Sequence, residues 1–68
     1  MNRQVELKDI VEIIDEKIDF LNQQNGVGAL MGLAGWFDED KVNTVIESNK
    51  IVINELTDLR MKVLELML

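Results

Sequence analysis

The residues best equipped for chemistry in this chain are carboxylates. Asp9, Glu12, Glu16 and Asp19 follow one another at intervals of three, four and three, with Asp15 beside them, and Glu55 and Asp58 form an ExxD pair farther on. On a helix these intervals place side chains along one face, and carboxylates from two facing helices can hold a magnesium ion and the phosphates of a substrate. That chemistry needs two acidic pairs converging in one pocket. Here the row falls roughly opposite the apolar residues Leu7, Val11, Ile14, Ile18 and Leu21 of the same segment, so it is expected to face water and to form no such pocket.

Other reaction chemistries have fewer resources still. The chain has no histidine, cysteine or tyrosine, which leaves carboxylates, lysines, Ser48, Thr44 and Thr57 for proton transfer or nucleophilic attack, none in a catalytic spacing. A di-iron helix bundle requires Glu-x-x-His ligands. The glycines of GVGALMGLAG lack the lysine and serine or threonine of a phosphate loop, and a helix rather than a strand precedes them. The expectation is a protein that is not an enzyme and uses no cofactor or metal.

Positioning is the business of the surrounding elements. A 68-residue chain makes one domain, 1–68, and a domain of this size buries only about 60% of the surface its unfolded chain exposes. Without disulfides or zinc ligands, further stabilisation is expected from association. The net charge is −6 and the seven basic residues are dispersed, which argues against nucleic acid and against anionic lipid. The opening MNRQVELKD does not read as a signal peptide, and the longest apolar run is roughly half of the ~20 residues a spanning helix needs, so the expected location is cytoplasmic.

Two segments carry helical periodicity. In the first, Leu7, Val11, Ile14, Ile18 and Leu21 keep a four-three spacing, widened on one side by Ile10, Ile13 and Phe20; this predicts a helix over about 4–24, stopped by Asn25 and Gly26. In the second, Val42, Val45, Asn49, Val52, Leu56, Leu59, Val63 and Leu66 predict a helix over about 39–67, with Asp38 as its N-cap and Phe37 and Val42 as a hydrophobic staple. The predicted fold class is therefore all-α: an antiparallel helical hairpin of two long helices. At 1.5 Å per residue the helices would measure about 31 and 43 Å, so the second would overhang. The connector, 25–37, is glycine-rich and uncharged from Val27 to Phe37; residues 27–34 could form a short third helix ended by Gly35, covering the end of the hairpin.

Three surfaces follow as candidates for function. The connector offers Leu30, Met31, Leu33, Trp36 and Phe37 as an apolar anchor for a partner protein, tryptophan, phenylalanine and methionine being the types enriched at interface centres. The acidic row, represented by Glu12, Glu16 and Asp19, offers a docking face for a partner with a basic surface. Its like-charge pairs at i,i+4 cost a few tenths of a kcal/mol each, so stability alone does not favour them. The C-terminal stretch LRMKVLELML is apolar around most of its circumference, more than one helix can cover. A homodimer with four long helices would bury it, through Asn49, Val52, Leu56, Leu59, Val63, Leu64, Leu66 and Met67, with Asn49 meeting its counterpart to fix the register. The functional expectation is a small interaction module: a regulator, inhibitor or chaperone-like adaptor that occupies a partner's surface. The alternatives are a structural subunit of a larger helical assembly and a membrane-surface protein attached through the connector, the latter disfavoured by Asp38, Glu39 and Asp40 directly after Phe37.

Overall fold

The computed structural model describes residues 3–68, with side-chain surroundings from Glu6 onward. Two α-helices, α1 (Arg3–Leu33) and α2 (Glu39–Met67), run antiparallel and pack against each other. They are nearly matched, at 31 and 29 residues, and the overhang expected from unequal helices is gone.

The difference lies in α1. It does not stop at Asn25 and Gly26; it absorbs most of the connector, which shrinks from 25–37 to 34–38, and residues 27–33 are its last turns and not a third helix. The four-three seam that begins at Leu7 continues through Asn25, Gly28 and Gly32, each at least partly buried against α2. Glycine costs about 1 kcal/mol in a helix interior, but tertiary contact along an antiparallel partner outweighs that local preference. Gly28 and Gly32 both lie beside Val42, where a Cβ would meet its methyl carbons at 3.8 and 3.6 Å, an ordinary contact distance.

Gly35 ends α1 with φ of 80°, a conformation glycine adopts without steric cost. The Trp36 N–H donates to the Met31 carbonyl at 2.9 Å and the Gly35 N–H to the Gly32 carbonyl at 3.1 Å, a Schellman ending. Two residues later Asp38 caps α2: its backbone is extended and its Oδ1 accepts from the Asp40 N–H at 2.9 Å. A helix stop and a helix start set almost back to back make a tight reversal.

The core is small. Val11, Ile14 and Val63 are buried together, with Leu7, Ile18, Leu56, Leu64 and Met67 packed against them, and Leu21 is buried farther along α1. The α2 residues turned toward α1 are Val42, Ile46, Asn49, Ile53, Leu56, Arg60, Val63 and Met67, with Leu64 beside them at the end of the helix. Half of the expected α2 seam is thus correct. Val45, Val52, Leu59 and Leu66 belong instead to a neighbouring stripe that α1 leaves exposed. The physical reason is the width of the apolar surface: it exceeds what one helix covers, and α2 is rotated so that Ile46 and Ile53 enter the seam while Arg60 reaches Asp15.

Arg60 Nε donates to Asp15 Oδ1 at 2.6 Å and a second guanidinium nitrogen approaches Oδ2 at 3.4 Å. Nearer the bend, Asn49 Nδ2 donates to Gln24 Oε1 at 2.9 Å and to Asn25 Oδ1 at 2.8 Å. Together these polar pairs fix the antiparallel register. The resulting rod measures 50 × 17 × 12 Å, one helix layer thick.

Candidate functional site

A single layer of helices has two broad sides, and the heptad positions say what lies on each. Near the bend an open cleft of about 740 Å³ is bounded by Phe20 and Val27 of α1, Trp36 and Phe37 of the bend, and Val42 and Val45 of α2, with Lys41, Gln23 and Gln24 at its edge. Residues seven apart on a helix share a side. Ile13 therefore continues the row of Phe20 and Val27, and Val52, Leu59 and Leu66 continue that of Val45. One broad side consequently carries an exposed apolar row from each helix, with Lys17 and Gln24 between the rows and Ser48 and Glu55 beside them. Among these residues Ile13 is 64% exposed, Phe20 55% and Leu66 63%, far more than a helix hairpin needs to leave wet.

The opposite side is of another character. It carries the Asp15–Arg60 pair, and Asn22 and Ala29, which share the heptad position of Asp15; near the bend a shallower cleft lies between Ala29, Gly32 and Leu33 of α1 and Asn43 and Ile46 of α2. Lys17 lies on the α1 part of the apolar side, and its Nζ is 5.1 Å from the centre of the Phe20 ring. An ammonium this close to an aromatic face is attracted by the ring.

The eight residues expected at a dimer interface divide. Asn49, Leu56, Val63, Leu64 and Met67 are spent within the hairpin: Asn49 pairs with Gln24 and Asn25 of its own chain, and the other four belong to the core or pack on it. Val52, Leu59 and Leu66 lie on the open apolar side. The connector residues divide as well. Trp36 and Phe37 line the large cleft, while Leu33 lines the smaller one and Leu30 lies on the outer side of α1, four residues past the exposed Gly26. Met31 takes the heptad position of Lys17 and Gln24, at the margin of the apolar side.

Glu12, Glu16 and Asp19 are all exposed, on the back of α1 away from α2, as is Asp9. Among the described residues no three carboxylates converge closely enough to hold a metal ion. No helix of the described residues is long and apolar enough to cross a membrane. Reasoning from sequence missed Val27 and Val45 as surface residues. It did register Ile10, Ile13 and Phe20 as widening one side of the α1 seam, and that widening is the signal from which the apolar side could have been found.

What the fold defines is an all-α helical hairpin with one apolar broad side. A scan against protein-family models finds no match, and neither a search of curated proteins nor one of solved structures returns any.

Proposed function

We propose that this chain is a small non-enzymatic interaction module of the cytoplasm, which associates into a homodimer of four long helices and acts by occupying the surface of a partner protein. The observation that carries the reading is the pair of exposed apolar rows on one side, one from each helix of a rod only 12 Å thick. Compact domains place two layers of secondary structure around a core, and a single layer with such an exposed side lacks its second. Pairing two hairpins supplies that layer. The connector, with Trp36 76% exposed, then serves a further protein, and the acidic row on the back of α1 is suited to one with a basic surface.

Size exclusion with light scattering over a concentration series tests this. A helical dimer is expected for the native chain. Leu59→Glu puts a charge in the middle of the apolar side without touching the hairpin core, and is expected to give a folded monomer by the same measurement with circular dichroism. A native chain that stays monomeric throughout, or a Leu59→Glu chain that remains dimeric, rules out the open side as the interface.

A further inference from the structure

We infer that the second copy sits on the apolar side about a two-fold axis parallel to the long axis of the hairpin, so that α1 of each chain lies over α2 of the other and both bends meet at one end of the bundle. This rests on the self-association proposed above and adds its geometry. The occupant is identified by complementarity. A two-fold along the rod keeps every residue at its own level, so the antiparallel register between chains lies close to the one built within the chain by Asp15 with Arg60 and Asn25 with Asn49.

At those levels Ile13 faces Leu59 of the second copy, Phe20 faces Val52, and Val27 faces Val45. Gln24 faces Ser48 and Lys17 faces Glu55, while Lys62 and Lys41 fall opposite the apolar Ile10 and Met31. Every one of these pairs has the same residue-number total, which is the mark of a single uninterrupted antiparallel register. They stand two residues from the level of Asn25 with Asn49 and three from that of Asp15 with Arg60, about 3–4.5 Å along the axis, an offset that long side chains span.

The ionic pair discriminates. From Glu6 onward Lys17 is the one base that α1 places on this side, and Glu55 the one acid that α2 places there; the symmetry brings them together twice. A two-fold perpendicular to the rod lays like helix over like helix. When centred so that Glu55 meets Lys62, that arrangement sets Lys17 against Lys17 and leaves the bend overhanging, with the Trp36 end of the cleft uncovered. In the parallel arrangement Val27 and Val45 of the second copy close the cleft. Trp36 and Phe37 of both chains then stand side by side, a doubled apolar end for the partner protein.

The absence of native cysteine makes cross-linking a clean test. Chains carrying Phe20→Cys and chains carrying Val52→Cys, mixed under mild oxidation, are expected to give a disulfide-linked heterodimer by mass spectrometry well in excess of either chain alone; Leu59→Cys alone is expected to cross-link poorly. Separately, Glu55→Lys is expected to weaken dimerisation roughly tenfold, two ion pairs at the lower end of partly buried strength, and Lys17→Glu in the same chain to restore it. Efficient Leu59→Cys linkage without the mixed product overturns the geometry while leaving self-association in place, as does a dimer indifferent to both charge changes. A native chain that is monomeric by light scattering removes both proposals together.

Discussion

Glycine shows at the scale of single residues how the same side chain has opposite value a few positions apart. Gly26 is helical, and a Cβ there would meet nothing within 4 Å; Gly35 has φ of 80°, where any Cβ is strained. Gly26→Ala is expected to stabilise the hairpin by about 0.5–1 kcal/mol and Gly35→Ala to destabilise it by about 1 kcal/mol, both read as shifts in thermal or urea midpoints. The sequence alone could not tell them apart, since each sits in an uncharged run and each is a plausible helix stop. Asn49 teaches a related lesson. Its place on the α2 seam was legible, but whether its amide meets a counterpart in another chain or Gln24 and Asn25 in its own depends on α1 extending far enough to supply them.

Elements are where pattern and structure agree and part most visibly. The all-α hairpin was readable because α2 holds its periodicity across eight positions and begins with a capping aspartate, and Asp38→Ala is expected to cost about 1 kcal/mol by loss of its bond to the Asp40 N–H, measurable by chemical denaturation. The length of α1 was not readable. Past Leu21 the seam positions are Asn25, Gly28 and Gly32, so the apolar signal fades just where the helix continues on the strength of its contact with α2. Nor could the rotation of α2 be read. Val42, Asn49, Leu56 and Val63 are flanked by Val45, Val52, Leu59 and Leu66 on one side and by Ile46, Ile53, Arg60 and Met67 on the other. Apolarity favours the first flank, yet the second faces α1, because the tight bend and the Asp15–Arg60 pair set which side of α2 is presented. The more apolar flank is the one left open.

The whole molecule is a rod whose two ends are held together differently. Val11, Ile14 and Val63 cluster with five partly buried neighbours in the half remote from the bend, while near the bend the seam offers Gly28 and Gly32 to Val42 and a cleft opens beside them. Amide hydrogen exchange should therefore be graded along the rod. Amides around Val11, Ile14 and Val63 are expected to exchange only through the rarest openings, and those of residues 28–33 and 41–46 through frequent local ones, by mass spectrometry or NMR at fixed pH. If a ligand or second copy fills the cleft, the slowing it brings should be concentrated in the fast half. The end that the bend closes covalently is thus the one its side chains pack least tightly, and a molecule seated in the cleft there would stiffen the rod where it is softest.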